Sequence, residues 1–231
     1  MKTINILGTK ISAVTKKEAL AAVKQFLGDN RQHLITTPNP EFLVTAYQNE
    51  KFKNLLNRAD LNLPDGVGLK WAAYLCLAPL PNNFLLRFYL LLWRFLWGEA
   101  ALVFYQSFFK KYLPEQISGT DIIENICQLA VENNLSIFLL GAQSGTGKRC
   151  AEKLKAKYLG LKIAGTHEGS PQENEDQKTV EIIKRTSADI LLVAYGAPKQ
   201  EFWLKRNLAK IPTVKIGMGV GGAFDYLSGD V

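Results

Sequence analysis

The chain has 231 residues, 47% of them apolar, with a formal net charge of +7 and a pI near 9.2. That length and apolar content suit one large α/β domain or one domain plus an appendage. The widely separated Cys76, Cys127 and Cys150 and the lack of an amino-terminal apolar leader exclude a disulfide-framed secreted fold and imply a reducing cytoplasmic setting. The positive charge suits nucleic acid, anionic lipid or a phosphate-rich substrate and does not choose among them.

Taken in chain order, apolar strands are predicted at residues 3–7, 33–37, 61–64, 136–141, 161–165, 189–195 and 213–217, with segments of helical period between them. Thr15-Lys16-Lys17-Glu18 has capping-box spacing before an alanine-rich helix. Asn39-Pro40-Glu41 offers an N-cap, a proline at the first helical position and an acid in the first turn. Such alternation predicts a Rossmann-like α/β fold, a mostly parallel sheet flanked by helices, in one domain spanning residues 1–231.

Residues 79–113 interrupt this pattern. Between Phe84 and Phe109 lie ten of the chain's 24 aromatic residues, so this short segment has a chemistry unlike the rest. Arg87, Arg94 and Glu99 break it, and a charge at mid-bilayer costs about 2.5–3.5 kcal/mol on insertion scales, which argues against a simple span. The expectation is an inserted aromatic helical hairpin, broken near Gly98, that lies in the membrane surface through residues 84–109. A buried hairpin or a subunit contact is the plainer alternative.

Several motifs are set aside. Gly141-Ala-Gln-Ser-Gly145-Thr-Gly147-Lys148 resembles a phosphate loop, but its spacing is one residue too long and Arg149 stands where a magnesium-binding hydroxyl belongs. The turn still opens a helix whose N-terminus favours an anion, so a diphosphate near Gly141 and a plain strand-to-helix turn are both open. Gly217-Met-Gly219-Val-Gly221-Gly222 follows the last strand rather than the first, which weakens a dinucleotide reading. His33 and His167 are isolated, no zinc-ligand or D-x-D spacing occurs, and no G-x-S-x-G elbow is present. The chemistry is therefore expected to need no metal, no cofactor and no covalent intermediate.

Polar residues remain at the carboxyl ends of strands: Thr36, Thr37 and Asn39; Asp65; Gln200 and Glu201 in Ala194-Tyr-Gly-Ala-Pro-Lys-Gln-Glu201; and Asp225 beyond the glycine run. Each alone is explained by a cap or a turn. Together they mark one rim, where open α/β sheets hold ligands.

Six segments, TPNPEFLVTA (37–46), LPDGVGL (63–69), SGTDII (118–123), FLLGAQSG (138–145), LLVAYGAPKQEFW (191–203) and GVGGAFDYLSG (219–229), carry a more specific signal. In order and spacing they resemble the WecG/TagA/CpsF glycosyltransferases, glycosyltransferase family 26, over nearly the whole chain except residues 79–113. The resemblance implies inverting, metal-independent transfer of an N-acetylmannosamine-type sugar from a UDP donor to undecaprenyl-diphosphate-linked N-acetylglucosamine. The product would feed teichoic acid, capsule or exopolysaccharide synthesis, and the work would be peripheral, on the inner face of the bacterial cell membrane. It further implies Asp65 as catalytic base, Thr37, Asn39 and Gln200 as substrate-binding residues, and Tyr195, Gly196, Gly141 and Asp225 around the nucleotide. Tyr195 would stack on the uracil and Asp225 would accept from its N–H.

Two departures from the family pattern bear on this expectation. The family's arginine-rich carboxyl-terminal appendage does not follow Gly229 here, and the aromatic insertion offers only Arg87, Arg94, Lys110 and Lys111 as replacement cations. The alternative is therefore a membrane-associated nucleotide-sugar binding protein that has lost catalysis with the tail. Nucleic acid is not an expected partner, because the rim lacks interleaved basic and aromatic residues. A homo-oligomer is allowed, with the insertion either supplying or blocking the contact.

Overall fold

A computed structural model of the chain describes residues 1–143 and 145–229. The chain opens with strands β1 (Thr3–Ile6) and β2 (Thr9–Ser12), which pair antiparallel as a hairpin separate from the main sheet. The expected strand at 3–7 is the first arm of this hairpin, and the second was not foreseen. Its two-residue turn places both Leu7 (φ 51°) and Gly8 (φ 85°) in the left-handed region, and leucine gives no sequence signal for such a turn.

Helix α1 (Lys16–Gly28) starts at the Thr15–Glu18 capping box. Strand β3 (His33–Thr36) leads into α2 (Pro40–Gln48), capped by Asn39, then α3 (Glu50–Arg58) and the short β4 (Leu61–Asn62). Helix α4 (Gly68–Leu77) and the 21-residue α5 (Phe84–Phe104) follow, and a 3-10 turn over Gln106–Lys111 brings the chain back. The remainder alternates α6 (Gly119–Glu132), β5 (Ser136–Gly141), α7 (Thr146–Lys157), β6 (Lys162–His167), α8 (Asp176–Lys184), β7 (Ile190–Ala194), α9 (Lys199–Asn207), β8 (Ile216–Gly219) and α10 (Ala223–Ser228).

Six strands form a parallel sheet in the order β4-β3-β8-β7-β5-β6. The two-residue side-chain period of a strand explains its two covered faces. Ile137, Leu139, Ile190 and Leu192 join a core with α1, α6, α7 and α10. The alternate residues Phe138, Leu140, Leu191 and Val193 pack under α8 and α9. The α/β Rossmann-like fold expected from sequence is thus the observed one.

The aromatic segment differs from its expected form. Helix α5 runs unbroken through Gly98, and the chain reverses only after Phe104. A side chain at Gly98 would collide with the Trp71 indole of α4, so this glycine permits close helix packing instead of breaking the helix. The antiparallel partner of α5 is α4. Among the described residues no helix is long and apolar enough to cross a membrane.

Candidate active site

Strands β3, β8 and β7 lie side by side and run parallel, and their carboxyl ends open onto a cleft of about 500 Å³. Its first wall follows β3, where Thr37 and Asn39 stand. The Thr37 hydroxyl donates to Gly219 O at 3.4 Å, tying that wall to β8. The Asn39 Oδ1 accepts from Phe42 N–H at 3.0 Å as the cap of α2, which leaves its amide donors for a ligand.

Asp65 enters from a segment held by backbone. Leu63 N–H donates to Thr36 O, Asp65 N–H to Pro38 O and Ile117 N–H to Pro64 O, each at 2.8 Å. These bonds bring the residue after β4 beside the start of α6, where Ser118, Gly119 and Thr120 form the opposite wall. Burial raises the Asp65 carboxyl above its ordinary range. Hydrogen bonds from the Gly119 and Gly66 N–H groups pull it back in part, and the nearby Asp121 charge pushes it up again. A carboxylate so held is more basic than a solvated aspartate, as proton abstraction requires.

The floor is built from the turn after β7. Gln200 is 1% exposed; its Nε2 donates to Glu201 Oε1 at 2.7 Å and its Oε1 accepts from Gly221 N–H at 2.9 Å. A side chain on Gly219 would lie 2.5 Å from Glu201 Oε1 and 2.7 Å from Gln200 Nε2, so only glycine lets β8 pass this pair. Glu201 is fully buried, and burial pushes its carboxyl up to about 7 against the opposing bond from Gln200.

A second cleft of about 710 Å³ opens beyond β5 and β6, at the start of α7. Gly141, Gly145 and Gly147 line one side, Lys148 and Lys178 supply positive charge, and His167 faces it from the end of β6. The Glu168 carboxylate accepts from Gly145 N–H at 3.0 Å, so an oxyanion already occupies a backbone donor at this helix start. At Gly141 (φ 96°) a side chain would meet Ala194 O at 2.7 Å, which gives this glycine a structural reason independent of any ligand.

Five of the eight residues expected at the site, Thr37, Asn39, Asp65, Gly196 and Gln200, line the first cleft, and Gly141 lines the second. Tyr195 and Asp225 line neither. The Tyr195 ring packs edge-on against Trp203 with centroids 6.2 Å apart, and its hydroxyl is buried without a hydrogen-bond partner. The half-buried ring packs against the core under the rim. Asp225 is half-buried on α10 and faces α7, where its charge adds to burial in raising the Cys150 thiol to about 12. His33 is buried, stacked on Phe26 and held between Asp29 and Asp60, an arrangement of core stability remote from both clefts.

The model of the glycosyl transferase WecG/TagA/CpsF family matches residues 4–96 and 98–231. The chain belongs to this family. Among curated relatives it is similar to proteins named N-acetylglucosaminyldiphosphoundecaprenol N-acetyl-beta-D-mannosaminyltransferase. That of Bacillus spizizenii is 26% identical over 206 residues, covering 89% of this chain and 66% of the relative. That of Bacillus subtilis strain 168 is 26% identical over 208 residues, covering 90% and 67%. That of Staphylococcus aureus MRSA252 is 24% identical over 228 residues, covering 98% and 76%. The chain therefore spans about two thirds to three quarters of the length of these relatives.

In this WecG/TagA/CpsF chain, sequence reasoning passed over several residues of the clefts. Ser118 and Thr120, quoted in the sequence only within the SGTDII segment, share a hydrogen bond at 2.7 Å and line the first cleft, and Ser118 is also the cap of α6. Tyr226 lines the same cleft from α10 and is 65% exposed, a position that no local pattern announces. Lys148 was noted only as the end of a failed phosphate-loop match, yet it lines the second cleft beside Lys178.

Proposed function

We propose that this chain is an inverting N-acetylmannosaminyltransferase that moves its sugar from a UDP donor to undecaprenyl-diphosphate-linked N-acetylglucosamine, without a metal, at the inner face of the cell membrane. Its product would enter a cell-surface polymer of the teichoic acid, capsule or exopolysaccharide kind. The single observation that carries the reading is Asp65, its carboxyl made more basic by burial, between the Thr37–Asn39 wall and the start of α6. The names of the curated relatives support the same acceptor and sugar.

In the proposed reaction the acceptor hydroxyl lies against Asp65. Its oxygen attacks the anomeric carbon of the donor from the side opposite the leaving group. As that bond forms, the anomeric carbon–oxygen bond to UDP breaks, the hydroxyl proton passes to the Asp65 carboxylate, and UDP leaves with the electron pair. One displacement inverts the configuration. The Asn39 amide and the hydroxyls of Ser118 and Thr120 are suited to hold sugar hydroxyls. The lysines of the second cleft are suited to the departing diphosphate, in line with the nucleotide role expected for Gly141.

The test is product formation from UDP-N-acetylmannosamine and a short-chain lipid-diphosphate-linked N-acetylglucosamine, followed by mass spectrometry with and without a chelator. A disaccharide product of inverted configuration, formed equally in both, is expected. Nucleotide-sugar binding with no product would instead establish a binding protein without catalysis.

A further inference from the structure

We infer that α5 is the element that lays this protein on an anionic lipid bilayer, and that it does so by one uncharged stripe, Leu85, Leu92, Leu96 and Val103. The inference deepens the proposed function, since it takes the acceptor to be lipid-linked.

The contacts of α5 fix which side is free. Arg94 donates to Ala78 O at 3.1 Å and to Pro79 O at 2.8 Å, closing the end of α4; Gly98 sits on Trp71; and Ala101 is buried. These three positions define the inner side of the helix. Leu85, Leu92, Leu96 and Val103 recur at helical spacing on the opposite side and are 65%, 47%, 56% and 72% exposed. The apolar surface also wraps onto both flanks, with Phe84 and Phe88 on one and Leu86 and Trp97 on the other, all exposed. A single helix from a second copy would cover one stripe and leave the flanks in water, whereas a bilayer interface covers all of it.

Charge selects the same occupant. Residues 68–113 hold five cations, Lys70, Arg87, Arg94, Lys110 and Lys111, against the single acid Glu99, and so carry four of the chain's seven net positive charges. Of the cations named as replacements for the appendage, Arg94 is committed to the carbonyls that follow α4, whereas Arg87 and Lys110 remain exposed at the two ends of the segment. With Arg87 one turn from the outer end, that end stays at headgroup level, and the helix lies in the plane of the interface instead of plunging through it. Trp93 and Trp97 are the amphipathic aromatics that settle at that depth.

Connectivity then links docking to the cleft. The chain leaves the Asp65 wall through α4, makes α5, and returns through the Ile117 N–H bond to Pro64 O to form the Ser118–Thr120 wall. Both sides of the cleft are thereby the roots of the docking segment. A lipid-linked sugar diphosphate at the bilayer surface is presented to Asp65 without leaving its membrane.

The test is sedimentation of the whole chain with vesicles of phosphatidylcholine containing phosphatidylglycerol, beside pure phosphatidylcholine vesicles, for the parent and for a Leu85→Ser, Leu92→Ser, Leu96→Ser, Val103→Ser variant of unchanged melting temperature. The parent is expected to bind the anionic vesicles at least about tenfold better than the variant does, and pure phosphatidylcholine more weakly. Turnover on a short-chain soluble acceptor should be equal in both proteins, and turnover on a long-chain acceptor in vesicles should fall with binding. Equal vesicle binding by parent and variant would overturn the inference. So would a parent dimer that ignores vesicles and becomes monomeric in the variant, because the occupant would then be a second copy. If neither acceptor is turned over, the enzymatic reading fails, and vesicle partition alone still decides the docking inference.

Discussion

The Asp65 cleft and helix α5 invert the usual distribution of residues in opposite ways. Around the cleft, polar groups that ordinarily sit in water are buried, Gln200 and Glu201 among them. Along α5, aromatic and aliphatic groups that ordinarily sit in a core are exposed. Each departure costs stability, and each is found where a ligand or a surface has to be met. The cleft does so with few groups, each fixed by backbone hydrogen bonds. The helix does so with many interchangeable groups, where total apolar area counts more than any one position.

The comparison breaks most sharply at Asp65. Replacement by asparagine keeps the shape and removes the base, so turnover should fall by about two orders of magnitude or more while UDP affinity, measured by calorimetry, stays near that of the parent. Retained turnover would remove Asp65 from the reaction. For the parent, turnover should rise with pH through a value above the ordinary aspartate range, because burial raises this carboxyl and only its ionised form accepts the proton.

Glu201 tests the buried side of the comparison. Its carboxyl stands at about 7 in the fold against 4.5 when unperturbed, so the folded chain holds this proton more tightly than the unfolded one. Its contribution to stability is then flat below about pH 4.5 and declines by about 3 kcal/mol as the pH rises to about 7. Urea denaturation across that range should show the decline in the parent and not in Glu201→Gln. The acid limb of turnover should survive this substitution, because the base is Asp65; parallel denaturation profiles would show that Glu201 does not titrate there.

A smaller effect is expected where α5 meets the body. Gly98→Leu forces a side chain into Trp71 and should cost about 1–3 kcal/mol by overpacking, read from the same denaturation. The smallest belongs to Arg94→Met, which keeps the stem and deletes two bonds to the Ala78 and Pro79 carbonyls at a partly exposed site, for about 1 kcal/mol. If Arg94→Met instead abolished vesicle binding with stability intact, the guanidinium would be meeting lipid, and the division of α5 into an inner and an outer side would be wrong.

The sequence by itself determined the class of the fold, because strand and helix periods and capping residues such as Thr15 and Asn39 are local and were read correctly. It also brought out Asp65, Thr37, Asn39 and Gln200, since polar residues after apolar strands fall on one rim in any parallel sheet. Only the tertiary structure decided that Tyr195 packs edge-on against Trp203, that Gly98 packs a helix instead of ending it, and that Ser118, Thr120 and Tyr226 complete the cleft. Those outcomes depend on which side chain arrives from a distant segment, and a local pattern carries no record of its long-range neighbour.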